Sequence, residues 1–291
     1  MLIRRYADES RFVWLTDEPS EARNRQQKEP IIGITGPEPE YSLWFGVSYL
    51  AEDCEAVTPD YAERVWCRFH GEAAVILKGE GWCLREMKEE DLEGMEQLYE
   101  DREVKRFLPY PLGERFDSGG IGSAGTSVCR EAHRLQDWQD WLQAYRREVY
   151  ELDEPAMWVI ADENDRFLGR LGLEWKELPD VTAEENSCDS LQGYFLGYAL
   201  LPRARGKGLA TKCAASLLAV LEERYGIETV YLICEKENQA SIRCAGRLGF
   251  QKLCNWKPAM DSVKAGTAGT QPCGFDDADQ EFCVSFISVS I

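Results

Sequence analysis

Histidine is scarce: only His70 and His133 offer an imidazole among 291 residues. The 11 cysteines are scattered, and none forms a Cys-x-x-Cys pair. Metal centres built on nitrogen and sulfur need such clusters, so no metal site is expected. Unpaired, odd-numbered cysteines suit reduced thiols in the cytoplasm. Basic residues are also in the minority, with 33 Lys and Arg against 52 Asp and Glu and a net charge of −19. A nucleic-acid partner, which wants a basic footprint, is thereby excluded. No apolar run approaches the roughly 18 residues that span a membrane. The opening Met1–Glu9 lacks the apolar stretch of a signal peptide. The chain therefore reads as a cytoplasmic protein, long enough to bury a sizeable core and to hold two domains.

What is present concentrates at residues 198–210, Tyr-Ala-Leu-Leu-Pro-Arg-Ala-Arg-Gly-Lys-Gly-Leu-Ala. The pattern predicts a strand, then a basic glycine-bearing turn, then a helix. Backbone N–H groups at a helix start have no intrahelical partner, and the helix dipole adds roughly half a positive charge there. Arg203, Arg205 and Lys207 crowd the same point, and Gly206 and Gly208 let a ligand approach the main chain. This suits a seat for a phosphate or pyrophosphate; a basic surface turn that merely starts a helix is the other reading. Ala210, Cys213, Ala214, Leu217, Leu218, Leu221 and Tyr225 recur at helical spacing, with Gly226 just past the end. A single helix over 210–225 is expected.

Before residue 80 the texture differs. Residues 11–17 and 31–36 read as short buried strands with a polar helical segment between them, and 44–50 as a third strand. Thr58–His70 reads as a helix with Pro59 at its first position, and 73–77 as a further strand. Asp17 ends a strand, yet Pro19 stands where a phosphatase-like second acid would be needed. A small α/β unit over 1–80 with a structural or docking role is expected.

From Trp82 onward a strand at 83–87 is followed by a helix at Lys88–Glu100. A glycine- and serine-rich loop then covers 113–127. Within it Gly120–Ser127 imitates a phosphate-binding loop but lacks the lysine. Helix 138–150, strands 157–161 and 167–175, an acidic connection Glu177–Asp189 and strand 194–201 come next. The central helix is succeeded by strand 229–234, helix Gln239–Leu248 closed by Gly249, strand 250–256, a long excursion over 257–280 and a last strand, 281–291.

The order of these elements, together with Arg203-Ala-Arg-Gly-Lys-Gly-Leu-Ala210, Asn238-Gln-Ala-Ser241 and Gly246-Arg-Leu-Gly-Phe250, resembles the GNAT superfamily of acyl-CoA-dependent N-acyltransferases. Within it the likeness is to the branch that acetylates protein N-termini and small amines. It covers about residues 82–291. The resemblance implies an α/β (α+β) fold: a mixed, mostly antiparallel central sheet flanked by helices. It implies acetyl-CoA as co-substrate, and an acceptor that is an amine-bearing small molecule or a peptide N-terminus.

The family signature falls on Arg203, Gly206 and Gly208. By resemblance the N–H groups around Arg205, Gly206, Lys207, Gly208, Leu209 and Ala210 hold the pyrophosphate. Main-chain groups of Leu200 and Leu201, on a strand that splays from its neighbour in this family, pair with the pantetheine arm. Asn238 contacts the same arm and Ser241 lies near the thioester; helix capping alone also accounts for that pair.

Amine attack on a thioester needs a proton acceptor, because an amine with pKa near 10 is mostly protonated at neutral pH. Glu174 and Glu235 are the candidate bases, Glu235 reading first as a surface charge at a strand end, and Ser241 is the candidate donor to the leaving sulfur. Glu174 faces opposite to Leu173 and Trp175, so its exposure turns on whether those two are core. The tyrosine that some members carry soon after the second motif is replaced here by Arg243-Cys-Ala-Gly-Arg. Without a clear base, a non-catalytic acyl-CoA-binding or sensing module is the rival reading. Oligomeric state is not legible, although the last strand leaves room for pairing with a second copy.

Overall fold

The computed structural model describes residues 2–6, 10–108, 127–182, 187–256 and 282–289. They form two compact units. One draws on residues within 1–76, 85–88 and 143–154, the other on those within 77–84, 89–142 and 155–291. The sequence suggests a single boundary near residue 80, whereas these units are discontinuous in the chain.

In the first unit, strands β1 (Leu2–Tyr6), β2 (Phe12–Thr16), β3 (Ile31–Ile34) and β4 (Leu50–Ala51) lie side by side in that order. β1 runs antiparallel to β2, whereas β2, β3 and β4 are parallel. Helices α1 (Pro19–Arg25) and α2 (Pro59–Phe69) complete it. Thr58 caps α2 by accepting from the Tyr61 amide, with Pro59 at the first turn as its sequence requires. Val13, Leu15, Ile32, Val57, Ala62 and Val65 form the core.

The third strand expected at 44–50 is instead a 3-10 turn, Tyr41–Trp44, with a strand only at Leu50–Ala51. Gly46 sits at φ +82°, which interrupts an extended run. The Trp44 ring occupies the space over Gly33, where an added Cβ would lie 2.2 Å from it.

Segments 85–88 and 143–154 join this unit through buried charge. Arg68 pairs with Glu86 at 2.7 Å and with Asp153 at 2.9 Å, and Arg64 reaches Asp153 at 2.6 Å. No apolar periodicity announces such a network, which is why the sequence hides this part of the division.

A second sheet has eight strands in the order β11-β12-β10-β9-β8-β7-β6-β5. They are β5 (Val75–Gly79), β6 (Trp82–Arg85), β7 (Met157–Ala161), β8 (Phe167–Thr182), β9 (Ser187–Leu200), β10 (Thr229–Glu235), β11 (Gln251–Trp256) and β12 (Phe282–Ser288). The pairs β7–β8, β8–β9, β10–β12 and β11–β12 are antiparallel, and β9–β10 is parallel. With helices α3 (Leu92–Glu100), α4 (Arg102–Phe107), α5 (Ser127–Tyr145), α6 (Leu209–Leu218), α7 (Leu221–Tyr225) and α8 (Gln239–Leu248), this is the mixed, mostly antiparallel α/β fold expected. Leu92, Met95, Leu98 and Tyr99 are buried on α3, as their spacing demands.

Three expectations change in detail. The helix read over 210–225 divides into α6 and α7 at Ala219–Val220. Apolar spacing runs through the break, since Leu217, Leu218 and Leu221 are all buried, so periodicity cannot register it. The helix expected to reach residue 150 ends at Tyr145 and closes in a π-helical turn, Arg146–Tyr150. Of the acidic connection Glu177–Asp189, residues 177–182 and 187–189 are strand: β8 and β9 pair from Gly169↔Leu200 out to Thr182↔Ser187. A ladder is held by backbone bonds, so acidic side chains do not prevent it. The loop read over 113–127, Ser127 apart, and the excursion over 257–280 lie outside the described residues. Among the described residues no helix is long and apolar enough to cross a membrane.

Candidate functional site

β9 and β10 part company early. They share only the positions Val230↔Tyr194 and Tyr231↔Phe195, whereas β10 stays paired with β12 from Thr229 to Glu235. A wedge therefore opens between Leu196–Leu200 and Leu232–Glu235. The Leu201 amide donates to Leu168 O at 2.9 Å, which turns it towards β8. Amides alternate along a strand, so those of Leu196, Tyr198 and Leu200 face the wedge. Of the two leucines expected to meet a pantetheine arm, Leu200 is placed to do so and Leu201 is not. The Leu200 carbonyl already accepts from Arg205 Nε at 2.9 Å.

The turn at the end of β9 has the form its sequence predicts. Gly206 and Gly208 adopt φ of +76° and +72°, left-handed values that L side chains rarely take. An added Cβ at either would meet nothing within 4 Å, so the main chain there lies open. Lys212 N donates to Gly208 O at 3.0 Å, the bond that starts α6. The amides of Leu209, Ala210 and Thr211 precede that ladder and remain available to an anion.

The cations divide into two kinds. Arg205 is held by Asp101 at 2.6 Å and Glu103 at 2.9 Å, so its charge is already matched. Lys207 is exposed on the turn. It lines a cavity of about 510 Å³ with Arg203, Lys212, Arg166, Asp162 and Trp82. Arg203 spends one donor on Phe167 O at 2.6 Å. An open glycine turn, free helix amides and these cations fit a pyrophosphate ligand.

Across the wedge, Asn238 caps α8 by accepting from the Ser241 amide at 3.1 Å. The capping expected for this pair is present. Ser241 Oγ in turn accepts from Tyr198 Oη at 3.2 Å, so a β9 side chain reaches α8. Burial raises the Tyr198 pKa, and the neighbouring thiols Cys244 and Cys234 add to the rise. Sequence reading passed over Tyr198 because it sought a tyrosine after Asn238. The usable signal was its position on the strand that enters the turn.

Register also sorts the two carboxylates. Glu174 stands opposite Phe195, and Phe195 pairs with Tyr231 of β10, their rings 5.4 Å apart. Alternation then carries Ile233 and Glu235 onto that same face. Tyr198, three residues beyond Phe195, lies on the opposite face with Ser241. Glu174 and Glu235 thus share one face of the sheet, and the hydroxyl pair lies on the other.

The side chain of Glu174 is 56 % exposed and paired with Lys176 at 2.9 Å. Its neighbours do not decide the matter as a pair, for Leu173 is buried and Trp175 is 54 % exposed. Glu235 is half-buried at the end of β10. Burial first, then the Glu237 charge, raises its pKa, and Arg106 of α4 opposes the rise. A carboxylate lifted towards neutrality beside an open wedge is suited to accept a proton. Among the described residues no cluster of three or more His, Cys, Asp or Glu is arranged to hold a metal ion.

Comparison with known proteins places the chain in a family. Residues 82–251 match the family model described as "Acetyltransferase (GNAT) domain". N-alpha-acetyltransferase 30 of Schizosaccharomyces pombe is 30% identical over 122 residues, which cover 41% of this chain and 73% of that protein. Among solved structures, the ribosomal-protein-S5-alanine acetyltransferase of Vibrio fischeri has 13% identity and a TM-score of 0.48, covering 74% of this chain and 96% of its own. Spermidine N-acetyltransferase of Vibrio cholerae, in complex with CoA and spermine, has 12% identity and a TM-score of 0.45, covering 72% and 96%. The family match alone spans more than half of the residues, and the chain belongs to the GNAT acetyltransferases.

Proposed function

We propose that the protein transfers an acetyl group from acetyl-CoA to a primary amine, by direct attack in a ternary complex, and that the amine is a peptide N-terminus. The similarity to an N-alpha-acetyltransferase favours that acceptor over a free polyamine. A cytoplasmic setting suits the unpaired thiols. The observation that carries the reading is the wedge, with a half-buried carboxylate on one face and a hydroxyl on the other.

When bound, acetyl-CoA supplies the acetyl group as a thioester. The amides of Leu209 and Ala210, the open backbone at Gly206 and Gly208, and Lys207 would hold its pyrophosphate. Arg203 and Lys212 would face its remaining phosphate from the adjoining cavity. The amides of Leu196, Tyr198 and Leu200 would receive the pantetheine arm as an added strand. At pH 7 a peptide α-amine with pKa near 8 is only about one-tenth neutral, and the attacking nitrogen must shed a proton as the C–N bond forms, so Glu235 serves to remove that proton, directly or through water. Glu174 has the weaker case, being exposed and ion-paired. Asn238 sets the first turn of α8 and so the place of Ser241 beside the wedge.

Calorimetry with acetyl-CoA, together with thiol release on peptide and polyamine panels, tests this. Binding with turnover on peptides is expected. Binding without turnover on any amine would instead favour an acyl-CoA sensor, and absence of binding would overturn the seat itself.

A further inference from the structure

The Tyr198–Ser241 hydrogen bond joins residues 43 positions apart in the chain, and the reaction as outlined uses the Tyr198 amide but not its hydroxyl. A serine hydroxyl has one proton and two lone pairs. Tyr198 Oη donates to Ser241 Oγ at 3.2 Å, so one lone pair is occupied and the serine proton must point elsewhere. In the first turn of a helix a serine otherwise tends to turn its proton back onto a nearby carbonyl.

The surroundings hold this pair still. Asn238 fixes the Ser241 amide. Cys244, one turn along α8, lies 3.3 Å from Thr211 Oγ1 of α6. Burial keeps the phenol protonated, so it remains a donor under ordinary conditions.

We propose that Tyr198 is a positioning residue that directs the Ser241 hydroxyl proton to the sulfur released in the wedge. This rests on the acetyl-transfer reading of the same site. In the transfer the amine nitrogen forms the C–N bond, the C–S bond breaks with its electron pair on sulfur, and the amine proton passes to Glu235. Ser241 donates a hydrogen bond to the thiolate, and Tyr198 keeps its own proton throughout. The tyrosine acts through the serine and never as the acid, which explains how the chain dispenses with a tyrosine after Asn238.

The test compares binding of coenzyme A with desulfo-coenzyme A, which lacks the sulfur, above the thiol pKa of about 8.5. Wild type is expected to prefer coenzyme A by about tenfold or more, the lower end for a hydrogen bond to a charged group. Ser241→Ala and Tyr198→Phe should each bring the ratio near one, and the double variant no further. Turnover should fall about tenfold in each with KM for acetyl-CoA within twofold. Unchanged desulfo-coenzyme A affinity reports that the variant is folded; if Tyr198→Phe is not, Tyr198→Met removes the hydroxyl in a second context. A Tyr198 variant that keeps the ratio would overturn the proposal, as would a wild type that shows none. Failure of the acetyl-transfer reading looks different: a wild type with the full ratio and no turnover.

Discussion

Arg205 Nη2 stands 2.6 Å from Asp101 Oδ1, and that same oxygen accepts the amides of Glu103 and Val104 at the start of α4. An arginine that the sequence offers to a phosphate is thereby tied to a helix cap 104 residues earlier. Burial alone would raise the Asp101 pKa, but the bonds from Arg205 and from the Val104 and Glu103 amides outweigh it and hold it low.

Arg205→Ala should cost about 1 kcal/mol of stability, as a partly exposed pair does, and change coenzyme A affinity less than Lys207→Ala. A folded-state pKa below the unfolded value stabilises above the unfolded pKa and is lost as pH falls through the folded one. The stability gap between wild type and Arg205→Ala should accordingly shrink in acid. Urea titrations at neutral and acid pH would show it, and a gap that persists in acid would count against the pair.

Gly206→Glu should abolish coenzyme A binding while the fold survives. The left-handed φ of +76° costs a side-chain residue roughly 1–2 kcal/mol. The open space above it would receive a carboxylate where the proposed pyrophosphate would sit. Circular dichroism and calorimetry on one sample decide this, and normal affinity in a folded variant would refute the seat.

Glu235→Gln should lower kcat/KM by about 10²-fold or more, whereas Glu174→Gln should change it less than about threefold. Because Glu235 is lifted above an ordinary carboxylate, its basic form accumulates as pH rises through that raised pKa. Wild-type kcat/KM should rise with pH across the same window, and Glu235→Gln should lose that limb. A flat wild-type profile with an inactive Glu174→Gln would reverse the two roles.

In the first unit, Arg68→Met should destabilise by about 3–5 kcal/mol, since Glu86 would remain buried without its cation. Burial already raises the Glu86 pKa against the pull of Arg68. Burial likewise pushes Asp153 up, but the bonds and charges of Arg64 and Arg68 bring it below the ordinary value. Thermal melts would check the loss, and a change under 1 kcal/mol would show the network to be replaceable.

Local signals carried far in this chain. The turn at 203–210, the caps Thr58, Asn238, Gly226 and Gly249, and the apolar face of α3 were legible because each depends on residues within a few positions of one another. What depends on distant partners was not. Residues 177–182 pair with 187–192 through backbone bonds that acidic side chains disguise, and Arg64 and Arg68 meet Glu86 and Asp153 across long separations in sequence. Residues close in sequence were enough for the open glycine turn and, through two motifs at the right separation, for the family. Folding across the sheet was needed to give Arg205 to Asp101, to leave Glu174 in solvent and Glu235 half-buried on the same face, and to bring Tyr198 to Ser241. The reason is physical: backbone geometry and capping are set by near neighbours, but the partner of a charge or a hydroxyl is set by register and packing across the sheet.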